Sequence, residues 1–265
     1  MLRAAALLTV LSLTLNTCSA SPAGQAKGSR KAKTAATAKA VPSAAKADSA
    51  ETPVDSVAAP AISRLTEEDY REVAEKLGVE TAAMKAVVDI EAGKTHEGFF
   101  APGMPLINFD FSMFTRFAKR NGVNLAGYRK SHPLVFTSPQ TRKYGSRQRA
   151  QHARLNAARA IDERTAIEGT FWGMFQIGGF NWRKCGASSI TDFVDRMSRS
   201  ERDQLELFAA FLKSTGLDKQ LRAKNWAAFA RGYNGPSYAS RGYHTRMASA
   251  YARHKALEAK AASAK

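Results

Sequence analysis

Cysteine is nearly absent from this chain, which has only Cys18 and Cys185 among its 265 residues. If the segment holding Cys18 is removed, no intrachain disulfide can form and stability must come from packing. Cys185 could act as a nucleophile with His152 or His244 as base, but no local Cys-His signature accompanies it. A small, half-buried side chain at a turn is the better reading. His96, His132, His152, His244 and His254 are scattered, with none in ligand spacing to another His, a Cys or an acid pair, so neither a metal nor a cofactor is expected. No apolar run is long enough to span a bilayer, and no internal repeat of useful length is present.

Negative charge is also scarce. The chain holds 40 Lys and Arg against 23 Asp and Glu, a formal net charge of +17. The excess is not confined to the N-terminus, since residues 64–265 alone contain 33 basic and 20 acidic side chains. Such a charge attracts polyanions through long-range fields and counterion release. The basic residues are spread over many segments without a helix-turn-helix, zinc or RNA-stacking signature, so specific nucleic-acid binding is not expected.

Residues 1–20 read as a secretory signal. Arg3 supplies the charged start, AAALLTVLSLTL an apolar run too short to span a membrane, and Cys18-Ser19-Ala20 a small-residue cleavage site. Export to the medium, the periplasm or the cell envelope follows. Leu15-Asn16-Thr17-Cys18 admits a second reading, a lipoprotein box anchored at Cys18. Thr17 ranks it lower, because that position usually holds Gly, Ala or Ser. Residues 21–63 are rich in Ala, Lys, Ser, Thr and Pro. They have too few bulky apolar groups to offset chain entropy, so a disordered tether is expected there.

From Leu65 onward the pattern is mostly helical. Thr66 and Asp69 suggest an N-cap and Gly78 a stop, and a second helix follows. PLINFDF at 105–111 reads as a short strand, with PLVF at 133–136 as its partner in a small ribbon. Further helices fit 146–162, 163–176, 189–197, 200–215, 225–232 and 241–255, with Ser200 and Asp203 framing a cap and Gly216 a stop. The fold class is mainly α with a minor β element. One domain is expected over residues 64–255, with a flexible tail at 256–265.

The second helix carries the most informative residue. In VETAAMKAVVDIEAGK, residues Met84, Val87, Val88 and Glu91 recur at i, i+3, i+4 and i+7, so the apolar face ends in an acid. Ala92 and Gly93 follow, which places Glu91 in the last turn, at the wall of a cleft. A carboxyl in apolar surroundings resists ionisation and can act as a general acid near neutral pH. The alternative is a helix-end Glu turned to solvent or paired with an Arg.

Two later segments, TFWGMFQIGGFNW at 170–182 and GYNGPSY at 232–238, combine aromatics, glycines and amides in a way that a plain core helix does not. Together with IEAG at 90–93 and PLINFDFSMF at 105–114, in that order, they resemble the N-acetylmuramidase family of phage endolysins and bacterial cell-wall enzymes, a branch of the lysozyme-like superfamily. The resemblance spans about residues 64–252. It implies a lysozyme-like fold and hydrolysis of the β-1,4 bond between N-acetylmuramic acid and N-acetylglucosamine, with Glu91 as proton donor. It also implies peptidoglycan glycan strands as partner. Anionic wall polymers would suit the positive charge, and the expected state is a monomer.

The chain departs from the family pattern in two places. AGKTHE follows Glu91 where relatives have a tighter glycine-rich loop, and Asp110-Phe111-Ser112 stands where many carry Glu, Arg and His. Asp110 is therefore the leading second carboxylate, with a helix cap before Ser112 as its other reading. Glu97 and Asp162 are weaker candidates. For the sugar, Gln176 and Asn234 offer amides, while Trp172, Tyr233 and Tyr238 offer flat faces. Glycines 173, 178, 179 and 235 would let the backbone approach the glycan. Trp172, with Phe171 and Phe175, also fits a core role. Tyr233 resembles the superfamily's cleft-lining tyrosine. A lytic transglycosylase using the same Glu, and a non-catalytic wall-binding protein, remain as alternatives.

Overall fold

Thr66 opens the fold. Its hydroxyl accepts from the Asp69 N–H while Asp69 bonds back to the Thr66 N–H, a reciprocal cap that starts α1 (Glu67–Leu77), and Gly78 ends it in the left-handed conformation. The computed structural model describes residues 62, 64–93, 97–136 and 148–263, and the leader and tether expected at 1–20 and 21–63 lie outside the described residues, but for Ile62. The described residues fall within one compact unit. After α1 comes α2 (Thr81–Glu91), which is buried along most of its length: Ala82, Ala83, Met84, Ala86, Val87 and Val88 are each at most 1% exposed. Its alanines let neighbouring helices approach closely, and the row of apolar side chains ends at Glu91 as the periodicity predicts.

The β structure is small. β1 (Phe99–Ala101) and β2 (Met104–Pro105) form a two-stranded hairpin. β3 (Ile107–Phe109) runs into α3 (Phe111–Arg120), followed by the short α4 (Pro133–Phe136). The strand expected at 133–136 is therefore a helical turn. Pro133 sits at its first position, where the missing N–H costs nothing, and four apolar residues carry too little periodicity to tell the two apart.

The true partner of β3 comes later. α5 (Gln148–Arg159) and α6 (Glu163–Glu168) lead into β4 (Thr170–Trp172), which pairs antiparallel with β3, and β5 (Ile177–Gly178) completes a three-stranded sheet. The helix expected over 163–176 thus stops at Glu168. The Gly169 carbonyl accepts from the Asp110 N–H at 3.0 Å, which turns the chain into the sheet, and Thr, Phe and Trp suit a pleated, buried surface.

The remaining helices are α7 (Ile190–Arg199), α8 (Glu201–Thr215), α9 (Leu217–Arg222), α10 (Trp226–Asn234) and α11 (Tyr243–Ser263). Ser200 caps α8 through the Asp203 N–H and Gly216 ends it, as expected. α11 extends eight residues past Lys255, through most of the stretch expected to be a flexible tail, and Ala-rich sequence carries the helix. It packs along α2, burying Met247, Ala250 and His254. Among the described residues no helix is long and apolar enough to cross a membrane.

Candidate active site

Glu91 is the last residue of α2 and only 7% exposed. Burial in the apolar end of that helix pushes its carboxyl up to about 7 from an ordinary 4.5. The hydrogen bond from Asn234 and the positive charge of Arg246 pull the other way. Asn234 donates its Nδ2–H to Glu91 Oε1 at 2.8 Å. It can do so because α10 ends on it. Gly235 follows with φ 76° and ψ −172°, a backbone pose essentially restricted to glycine, which turns the chain aside at that point.

Tyr233 ties this corner to the sheet. Its hydroxyl donates to the Phe175 carbonyl at 2.8 Å, and its ring packs on Phe208 and Phe229. Burial, then the nearby Glu91 carboxylate, hold the phenol well above its usual range, so it stays protonated and donating. Phe175 belongs to the turn between β4 and β5, in which Gln176 takes the left-handed conformation with φ 48°. Gln176 Nε2 donates to the Gly173 carbonyl at 2.9 Å and to that of Leu106 at 3.5 Å. IEAG and YNGP, distant in sequence, thus meet at the Glu91–Asn234 bond, and Tyr233 ties WGMFQI to that corner.

The other expected site residues have different places. Trp172 is 2% exposed, packs edge-on against Phe193 and donates its indole N–H to Ile167, so no ring face is open to a sugar. It is a core residue of β4. Tyr238 is half-buried in the turn Pro236–Tyr238, edge-on to His244 at 5.3 Å and with Arg231 lying 5.6 Å over its ring.

Asp110 caps α3 by accepting from the Met113 N–H at 2.9 Å. It follows the end of β3 opposite to Leu106, which borders the Gln176 turn. Four residues of extended chain, roughly 13 Å, separate the two positions. Its observed role is that of the cap.

Glu97 pairs with Arg64, and Asp162 caps α6 through the Thr165 N–H. His152 donates to the Pro105 carbonyl, and burial lowers its pKa. Cys185 is fully buried and its thiol is pushed up to about 12, which removes the thiolate a nucleophile would need.

Three residues of this region had no place in the sequence reading. Gln204 is fully buried, accepts from the Met174 N–H at 2.9 Å and donates to the carbonyls of Met197 and Gly98. Glu201, 1% exposed, accepts from the N–H groups of Leu65 and Gly98. Together they fix the β4–β5 turn and the start of β1 against α8. Both sit on the buried face of α8 with Leu205 and Phe208, so a polar residue within an apolar stripe, the pattern that marked Glu91, would have found them. Arg246 flanks the buried stripe of α11, and its nearness to Glu91 arises only from the packing of α11 on α2.

A family model described as Muramidase, N-acetylmuramidase, matches residues 80–255. Among solved structures, the chain is similar to the endolysin of Burkholderia AP3 phage. The identity is 33%, the match covers 74% of this chain and 72% of that one, and the TM-score is 0.64. Among the curated proteins none matches.

Proposed function

The chain belongs to the N-acetylmuramidase family, glycoside hydrolases of the lysozyme type that act on peptidoglycan, and from that premise we propose that it cleaves the β-1,4 bond between N-acetylmuramic acid and N-acetylglucosamine with Glu91 as general acid. The observation that carries this reading is the state of Glu91: 7% exposed, titrating near 7, and held by Asn234 where IEAG and YNGP meet. At neutral pH such a carboxyl is both protonated often enough to donate and acidic enough to let the proton go.

Asn234 occupies Oε1 with its N–H, so the acid proton resides on Oε2, which is left to face the glycosidic oxygen. As that bond breaks, charge develops on the carboxylate, and the Asn234 N–H stabilises it. The freed carboxylate then serves as base toward the water that attacks the sugar. Tyr233 and Gln176 act on the geometry, Tyr233 by fixing the end of α10 and Gln176 by fixing the turn it is bonded to. Tyr238, half-buried just beyond Asn234, is the ring we assign to a sugar face.

A second reading has its own observation. Asp110 is engaged as a helix cap, and Glu91 acting as acid and then as base toward the sugar's own 6-hydroxyl, in place of water, would release 1,6-anhydro ends, as a lytic transglycosylase does. Mass analysis of products from purified peptidoglycan separates the two. Hydrolysis predicts reducing N-acetylmuramic acid ends from the wild type and a loss of at least about a hundredfold in Glu91→Gln. Anhydro ends would replace the muramidase reading by the transglycosylase. Equal activity of wild type and variant would remove Glu91 from the mechanism. The leader at residues 1–20 is part of the same proposal, since peptidoglycan lies outside the cytoplasm.

A further inference from the structure

Beside the acid, on the flank of α2, lies a groove of about 450 Å3 between that helix and α11, lined by Asp89, Ile90, Thr245, Arg246, Ser249 and Arg253, with Ala250 at its floor. Its volume falls in the range of about 300–1,000 Å3 typical of ligand clefts. It begins one residue from Glu91, and the cation on its wall, Arg246, is the one whose charge reaches the Glu91 carboxylate.

The charges in the groove do not cancel. Asp89 is taken up by Arg253 and by His254, the latter at 2.8 Å. Arg246 is exposed, rests its guanidinium 5.6 Å from the Tyr243 ring, and pairs with no carboxylate among the described residues. The groove therefore presents a guanidinium that is in ion-pair contact with no carboxylate among the described residues, a fork that suits a carboxylate in two-point contact. Two hydroxyls stand beside it. Ser249 gives its proton to the Thr245 carbonyl and Thr245 gives its own to that of Gly242, so each oxygen keeps lone pairs with which to accept a hydrogen bond. One cation, two acceptors and an apolar floor match a short peptide that ends in or carries a carboxylate.

We infer that this groove is a subsite for the peptide branch of the glycan strand, with Arg246 binding a carboxylate of that peptide. The inference rests on the peptidoglycan reading above and adds to it. The acid cuts the sugar chain, and the α2–α11 groove selects strands whose muramic acid next to the cut carries a stem. A neutral glycan of the same backbone would leave Arg246 unengaged. Arg246 is a substrate-binding residue here, and its side chain is exposed, so its replacement leaves the core intact.

The test is a binding comparison in the hydrolysis-deficient Glu91→Gln protein, with and without Arg246→Gln or Arg246→Lys, using titration calorimetry. Three soluble probes are used: a disaccharide-tetrapeptide, the same disaccharide stripped of peptide by an amidase and so ending in a lactyl carboxylate, and a neutral chitin trisaccharide. Arg246→Gln is expected to weaken the peptide-bearing probe about tenfold, to leave the chitin fragment unchanged, and to be partly rescued by Arg246→Lys. An equal loss on the chitin fragment would overturn the inference by making Arg246 a general cleft residue. No loss on any probe would overturn it outright. A loss confined to the lactyl probe would move the subsite from the stem to the sugar's own acid, which also overturns it. Absence of sugar-chain cleavage by the wild type would defeat the muramidase reading separately, since the binding comparison does not require turnover.

Discussion

At pH 7 the Glu91 carboxyl is protonated in roughly half of the folded molecules, because its pKa there is about 7. Unfolding exposes it and returns it to its ordinary value of 4.5. Between these two pH values the folded chain holds a proton that the unfolded chain releases. Stability from this residue is therefore full below about 4.5 and declines as the pH rises through 7. Replacing Glu91 by Gln keeps an oxygen for Asn234 to donate to and removes the cost of a buried charge. The variant is expected to be the more stable protein at pH 8, by up to about 3 kcal/mol, with the gap closing by pH 4. Denaturant melts at the two pH values check this, and a gap independent of pH would contradict the account of a raised carboxyl. Glu91 was legible in the sequence because a carboxylate interrupts an apolar period. Asn234 was expected from the sequence as an amide for the sugar, but its hydrogen bond to Glu91 depends on Gly235 turning the chain away. The left-handed Gln176 could not be foreseen, since nothing in its neighbours marks a non-glycine residue for that conformation.

Among the elements, the sheet is placed by close backbone approach. A Cβ on Gly179 would sit 2.0 Å from the Ile167 carbonyl oxygen, so the segment after β5 can lie against the end of α6 only because that position is glycine. Gly179→Ala is expected to cost about 1–3 kcal/mol by forcing backbone apart, whereas Gly127→Ala, where the new Cβ would have no neighbour within 4 Å, should stay within about 0.5 kcal/mol. Comparing their midpoints in urea is sufficient, and equal midpoints would refute the clash. This tight packing also explains where sequence reading failed. Residues 163–176 carry aromatics at spacings that a helix accommodates, but the contact that ends the helix at Glu168 is between segments remote in sequence. PLVF at 133–136 failed for a simpler reason, since four apolar residues express neither a period of 2 nor one of 3.6. The helices with explicit caps, α1 and α8, were read almost to the residue because Thr66, Ser200, Gly78 and Gly216 encode their ends locally.

For the whole molecule, the governing quantity is charge. Residues 64–265 carry thirteen more basic than acidic side chains, and many acids are already paired, as Arg202 shows by bridging Asp69, Glu72 and Glu206. The surplus cations are thus left to act at long range. Association with an acidic polymer such as teichoic acid is expected to weaken about tenfold between 50 and 300 mM salt, as screening shortens the reach of the field. Co-sedimentation over a salt series measures it, and a salt-independent affinity would show that the surplus charge plays no part in binding. The site has a further consequence in time. Asn234 reaches Glu91 across 143 positions, and α11 lies along α2 from later still in the sequence. During vectorial synthesis the ribosome releases the acid-bearing helix long before either companion exists. A nascent chain therefore holds Glu91 with no amide to bond it, and the Glu91–Asn234 pair closes only when α10 has emerged.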